Sequence, residues 1–348
     1  MWQAPLLARR LLMTTRPNAA LIMWPGVDDL VITPQVRAAL AQVVTLVDDA
    51  PIDLMSTPLA ELEAVEVLIG SWGCAPLDAA SLDRLPALRL LAYAAGTVKA
   101  VVTDELWARG VAVSSAAAAN AVPVAEFTFA AIVMIAKDVL RVRDAYRANR
   151  GEGWVSGVGP AGPLGTHGLK VGVIGASKIG RLVLERLRTL DVEVGLRDPY
   201  LDPEEVDELG ATPMGLDELC SWSDIVTVHA PELTATRHMI DAERLALMRD
   251  GAWLINTARG SIVDTAALEA ECASGRLAAW IDTPDPEPLP PTSPLWDLPN
   301  AVLTPHIAGS MGNEAERMGL LAAGEVGRFL SGRPLNHEVR AGDLGLLA

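Results

Sequence analysis

Six residues stand just past apolar, strand-like runs in the second half of the chain: Gly175, Asp198, His229, Arg259, Asp282 and His306. In open α/β sheets ligands lie across the carboxyl ends of the strands, so these are positions where chemistry is done. Arg259, in Asn256-Thr257-Ala258-Arg259-Gly260, carries a planar fork that matches a carboxylate bidentately and keeps its charge in any pocket. His306, in Leu303-Thr304-Pro305-His306-Ile307-Ala308-Gly309, carries imidazole, the usual proton carrier near neutral pH. Glu287 lies among prolines in Asp282-Thr283-Pro284-Asp285-Pro286-Glu287-Pro288-Leu289-Pro290, which hold the backbone of a residue that must be aimed. Set against His306, its carboxylate would hold one tautomer and support the imidazolium. Each residue also has a plain structural reading. Arg259 could be a solvated arginine, His306 a satisfied core residue, and Glu287 part of an acidic surface loop.

The stretch Lys170-Val171-Gly172-Val173-Ile174-Gly175-Ala176-Ser177-Lys178-Ile179-Gly180 reads as a strand, a glycine turn and a helix start. Ile179, Val183, Leu187 and Leu190 share one helical face. Such a turn cradles phosphate, because the helix end offers free N–H groups and partial positive charge. The dinucleotide fingerprint has glycine at its first, third and sixth positions, and Ser177 occupies the third. Its hydroxyl is expected to reach a phosphate oxygen. Asp198, at the end of the next strand, can accept both hydroxyls of an adenosine ribose and would repel a 2′-phosphate, which favours NAD over NADP. Arg197 beside it works against that preference, and an Asp-Pro turn opener is its structural alternative. An arginine, a carboxylate and a histidine around a dinucleotide point to hydride transfer to or from a 2-hydroxy or 2-keto acid. Arg259 holds the carboxylate and polarises the carbonyl, His306 moves the proton, and Glu287 supports the imidazolium.

The elements that must position these groups alternate strand and helix. Strands are expected at 20–24, 43–47, 66–69, 88–93 and 111–113, with helices near 34–42, 58–62, 79–85 and 104–109 between them. A long helix follows over Val122 to Arg147, with a partner subunit as one of its contacts. Gly151 to Gly168 is glycine- and proline-rich and reads as a loop. A second series has strands at 171–174, 192–196, 225–228, 252–256, 278–281 and 302–304, and a last helix spans about 313–330. Short βα alternation with apolar strands argues parallel sheets covered on both faces.

The chain has 348 residues, half of them hydrophobic and 21% charged, a globular composition long enough for two cores. A net charge of −16 argues against nucleic acid and anionic membrane surfaces, which demand clustered Lys and Arg. Cys74, Cys220 and Cys272 are far apart and show no metal spacing, so no metal and a reducing, cytoplasmic setting are expected. Arg9 and Arg10 interrupt the apolar N-terminus, so no signal peptide is expected; the stretch looks like a short helical extension, with a solvated or weakly packed tail as the favoured reading. No apolar run is expected to reach the length of a membrane span.

From Ala19 to Pro334 the chain resembles the D-isomer-specific 2-hydroxyacid dehydrogenases. The segments that carry the likeness are Ala119-Asn120-Ala121-Val122-Pro123-Val124-Ala125-Glu126, the glycine turn, Asn256 to Gly260, Asp282 to Pro290 and Thr304 to Gly309. The resemblance implies two doubly wound parallel-sheet α/β domains. A Rossmann NAD-binding domain (120–308) would be inserted into a flavodoxin-like substrate domain (1–119 plus 309–348). It implies Arg259, Glu287 and His306 as the catalytic set, with His306 also against the cofactor. Gly175, Ser177, Lys178 and Ile179 would lie at the pyrophosphate, Asp198 at the ribose, Pro231 and Thr257 along the cofactor wall, and Asp282 at the nicotinamide carboxamide. Gly96, Thr97 and Asn120 would join Arg259 in holding substrate, and a homodimer would form through the NAD-binding domain. The loop Ala95 to Val102 departs from the family, with Lys99 and Val102 where aspartates are usual. The loop Ser71-Trp72-Gly73-Cys74 has no arginine for a phosphate, which argues against phosphoglycerate. Glutamate rather than glutamine at 287 argues against formate. The same family includes corepressors that keep the catalytic set, so an NADH-sensing binding protein is the alternative function.

Overall fold

The computed structural model describes residues 16–150 and 165–346. The expected N-terminal extension and most of the expected 151–168 loop lie outside these residues. By contacts the chain divides into two units, residues 16–120 with Gly312–Leu344 and Ala121–Met311. The domain limits expected from the sequence were 119/120 and 308/309.

The first unit holds β1 (Asn18–Ile22), β2 (Thr45–Leu46), β3 (Val65–Gly70), β4 (Leu90–Tyr93) and β5 (Ala112–Ser115). They run parallel in the order β2-β1-β3-β4-β5, the flavodoxin-like order. Every residue of β4 is buried, as in a strand covered on both faces. The helix Ala315–Leu330 supplies Met318, Ala322 and Val326 to this core.

The second unit holds β6 (Leu169–Ile174), β7 (Val192–Arg197), β8 (Thr212–Pro213), β9 (Ile225–Val228), β10 (Trp253–Asn256), β11 (Ala278–Ile281) and β12 (Ala301–Leu303). All pair in parallel, in the order β12-β11-β10-β9-β6-β7-β8. The order reverses between β6 and β9, which is the crevice where a doubly wound sheet binds its ligand.

Several features differ from expectation. The long helix is two, Ala117–Ala136 and Val139–Ala148. The break is Asp138, at φ +50, a left-handed backbone that aspartate tolerates better than most residues. Ala117–Ala136 is long and apolar enough, by length and composition, to cross a membrane, which corrects the expectation that no run approaches that length. Its Ala125, Ala131 and Ile132 pack in the core of the second unit. An edge strand was also missed: β13 (Glu338–Val339) pairs antiparallel with β5. Glu325, only 2% exposed, holds the segment leading into it by accepting the N–H groups of Asn336 and His337 at 3.3 and 2.9 Å.

Candidate active site

The glycine turn follows from steric demand. Gly175, at the end of β6, has φ +93, and a Cβ there would meet the Ala230 nitrogen at 2.8 Å. Inside the helix Lys178–Leu187, a Cβ on Gly180 would lie 2.0 Å from the Gly175 carbonyl oxygen. Helix and strand can close up only because that position is bare. Ser177, between them, has an ordinary φ of −62 and is the helix N-cap, its Oγ accepting from Gly180 N–H at 3.3 Å. A side chain therefore costs nothing in backbone strain at the third fingerprint position. The hydroxyl expected at a phosphate is engaged through its oxygen, and its hydrogen remains to donate. Lys178 and Ile179 open the helix, where N–H groups have no intrahelical partner.

Asp198 is half-buried. It accepts Ala176 N–H at 2.7 Å and Tyr200 N–H at 2.9 Å. It thus opens the Asp-Pro turn and also ties that turn to the glycine turn, with carboxylate lone pairs left for a ribose. The group fits a dinucleotide: a bare crevice at the switch point, a capped helix start and an acid at the end of β7.

His229 lies beneath the same turn at the end of β9, 2% exposed. A Cβ on Gly180 would come 3.4 Å from its own Cβ. Nε2 sits 3.0 Å from the Thr227 hydroxyl, and Nδ1 has no partner among the described residues. Burial pushes this imidazole down to about 3 from 6.5. The folded protein then holds it neutral, while the unfolded chain takes up a proton as pH falls below 6.5. Folding stability should drop by up to about 1.4 kcal/mol per pH unit between about 6 and 4 from this one group. In urea titrations, His229→Asn should flatten the pH dependence by one proton over that range. Parallel wild-type and variant curves would rule His229 out as the source.

The reactive set sits at the ends of β10, β11 and β12. Arg259 is half-buried, and its Nη1 donates to the Ala258 carbonyl at 2.6 Å. Its loop is braced by Asn256, 1% exposed, which sequence reasoning passed over although it closes a strand in the polar set. The Asn256 amide donates to the carbonyls of Arg259 at 2.9 Å and Thr283 at 3.4 Å and accepts from Ala258 N–H at 3.0 Å. So the Arg259 loop is tied to the loop carrying Glu287. Gly260 lets them touch, since a Cβ there would fall 2.1 Å from the Pro284 carbonyl oxygen.

His306 Nδ1 lies 2.9 Å from Glu287 Oε1. A carboxylate only accepts, so Nδ1 carries the proton of this bond. Both side chains are nearly half exposed, so the pair adds at most about 1 kcal/mol to stability. Its consequence is orientation: Nε2 is the nitrogen left to exchange a proton.

The other expected residues make contacts within the protein itself. Asp282 is 0% exposed. Its Oδ1 accepts from the Thr304 hydroxyl at 2.6 Å and Ile307 N–H at 2.9 Å, and its Oδ2 from Ala308 N–H at 3.0 Å. Thr257 is 5% exposed and turns its hydroxyl to Thr128 at 2.9 Å, so its backbone is what a cofactor wall could use. Pro231 is half-buried, its carbonyl taken by the Thr236 hydroxyl at 2.7 Å. In the first unit a Cβ on Gly96 would lie 3.4 Å from Asn120 Nδ2, so these two are neighbours there. Thr97 Oγ1 accepts Lys99 N–H at 3.4 Å.

Fold and site define a two-unit α/β protein with an NAD-binding domain. The family described as D-isomer specific 2-hydroxyacid dehydrogenase, NAD binding domain, matches residues 129–308, and the chain belongs to the D-isomer specific 2-hydroxyacid dehydrogenase family. It is 31% identical over 316 residues to D-3-phosphoglycerate dehydrogenase of Mycobacterium tuberculosis, covering 89% of this chain and 58% of that protein. It therefore spans less than two thirds of that relative. It is 32% identical over 260 residues to glyoxylate reductase of Korarchaeum cryptofilum, covering 74% of this chain and 77% of that one. A phosphoglycerate oxidoreductase structure from Rhizobium etli superposes with a TM-score of 0.77 at 27% identity, covering 94% of this chain and 98% of that one.

Proposed function

We propose that the protein transfers a hydride between NAD(H) and C2 of a small D-2-hydroxy or 2-keto acid. The observation that carries this reading is the Glu287–His306 contact on loops packed against the Arg259 loop, in a unit whose glycine turn suits a dinucleotide. When bound, the nicotinamide supplies or accepts the hydride. Arg259 binds the substrate carboxylate and draws charge toward the carbonyl oxygen. In reduction, His306 delivers the proton from Nε2 to that oxygen, and in oxidation it takes the proton back. Glu287, on Nδ1, keeps the ring oriented and fixes its tautomer. Gly96, Thr97 and Asn120 belong to the proposal as substrate contacts through the family resemblance alone.

The test is NADH oxidation against a panel of 2-keto acids that includes glyoxylate, pyruvate, hydroxypyruvate and its phosphate. Turnover with at least one member is expected. Tight NADH binding without turnover on any would favour the NADH-sensing alternative. The loop 71–74 offers no cation for a phosphate, which supports an unphosphorylated acid, although relatives of the chain are named for phosphoglycerate.

NAD rather than NADP is the proposed cofactor, supported by the Asp198 carboxylate at the end of β7. Asp198→Asn should raise the ratio of kcat/KM for NADPH over NADH by about tenfold, the effect of removing about 1.4 kcal/mol of like-charge repulsion. An unchanged ratio would move ribose recognition to another residue. A homodimer through this unit is part of the same proposal. It is supported by the helix Val139–Ala148, which buries none of its residues and exposes Tyr146 by 50%. Sedimentation equilibrium at micromolar concentration should give twice the chain mass, and a monomer would remove this part.

A further inference from the structure

The backbone at His306 is in the left-handed region, φ +54, which a bulky L-residue adopts only when its surroundings impose it. What imposes it is visible. His306 N–H donates to the main-chain oxygens of Asp282 and Thr304, both at 3.0 Å. The Asp282 carboxylate, sealed inside the fold, takes the Thr304 hydroxyl two residues before His306 and the Ile307 and Ala308 N–H groups one and two residues after it. So one carboxylate grips the loop on both sides of the strained residue. A charged acceptor holding three donors makes bonds about twice as strong as neutral ones.

We propose that Asp282 is a positioning residue, whose buried carboxylate fixes the left-handed turn that aims the His306 imidazole at Glu287. The role is distinct from the carboxamide contact implied by the family resemblance, and it rests on the reading of His306 as proton carrier. The chemistry is specific. An amide in place of the carboxylate accepts at one atom only, so it cannot serve both the Thr304 and Ile307 side and the Ala308 N–H. The turn then relaxes, and a displacement of about 1 Å at the ring is enough to cost about a hundredfold in rate.

The test is a double-mutant cycle with a structural readout beside it. Asp282→Asn should lower kcat by about 10- to 100-fold while the NADH dissociation constant, read by fluorescence, stays within about threefold. In the His306→Ala background the same change should have almost no further effect on the residual rate, because it acts through the missing ring. In NADH-free protein, the His306 ring ¹⁵N shifts should move away from the Nδ1-protonated pattern. If Asp282→Asn fails to fold, Thr304→Val removes one donor and should lower kcat severalfold, with Thr304→Ser restoring it. Loss of NADH affinity with kcat kept at saturation would overturn the proposal in favour of the carboxamide contact. A further drop in the His306→Ala background, or unmoved ¹⁵N shifts, would overturn it as well. An absence of turnover in the wild type would strike the proposed reaction, and the ¹⁵N readout would still decide the positioning role.

Discussion

His306→Ala should reduce turnover by about 10²- to 10⁴-fold while NADH binding stays within about twofold. The range is that of a lost general acid or base. The geometry gives the reason for the split. Nδ1 is engaged by Glu287 at 2.9 Å, so in the proposed reaction the other ring nitrogen is the one left to meet substrate, while the glycine turn and Asp198 that would hold the dinucleotide are untouched. Alanine also has to sit at φ +54, which costs about 1–2 kcal/mol. A lower Tm alone would therefore not identify the role. His306→Asn separates the two effects, since asparagine tolerates the left-handed backbone and carries no proton between pH 5 and 8. It should keep most of the stability and lose the same activity. A His306→Asn enzyme near the wild-type rate would remove the proton-carrier role.

Much of the fold was legible because parallel strands announce themselves locally. β9 and β11 match their expected limits because each is a short run, buried throughout and apolar but for Thr227. β8 and β13 were missed for the converse reason. Two residues carry no period, and their pairing with β7 and β5 is decided by distant chain. The helix break at Asp138 went unseen because an apolar stretch followed by a charged one keeps helical propensity throughout, and only packing separates the two pieces.

Around the site, residue types were legible and side-chain directions were not. Glu287 and His306 could be paired from chemistry, and the structure sets them together. Asp282 and Thr257 stand at strand ends like the rest, yet both turn inward, to the 304–308 loop and to Thr128. Period-2 alternation tells which face a residue occupies inside a strand, and it fails at the first residue beyond it. Asn256 was overlooked because an amide has no acid–base chemistry to draw notice. Its value is three hydrogen bonds that only the folded loops supply.

Gly260→Ala should lower kcat/KM by about a hundredfold and stability by about 1–3 kcal/mol, without touching any reactive side chain. The added methyl would lie 2.1 Å from the Pro284 carbonyl oxygen, 2.2 Å from its carbon and 2.5 Å from the Asp285 nitrogen. These are backbone atoms, so no side chain can swing aside. Either the Arg259 loop or the loop leading to Glu287 must shift, and the two groups part company. The Asn256 amide bond to the Thr283 carbonyl, already 3.4 Å, would be the first link to break. Gly324→Ala is the matched control. It adds the same methyl on an exposed position of the helix Ala315–Leu330, where nothing lies within 4 Å, and should be neutral or stabilising by up to about 1 kcal/mol. Chemical denaturation and steady-state kinetics on both variants give the comparison. A Gly260→Ala protein with wild-type kcat/KM would show that Arg259 and Glu287 need not be held by the same contact. Recovery of most of the activity by adding guanidine to Arg259→Ala but not to Gly260→Ala would place the defect in loop position rather than in loss of the guanidinium.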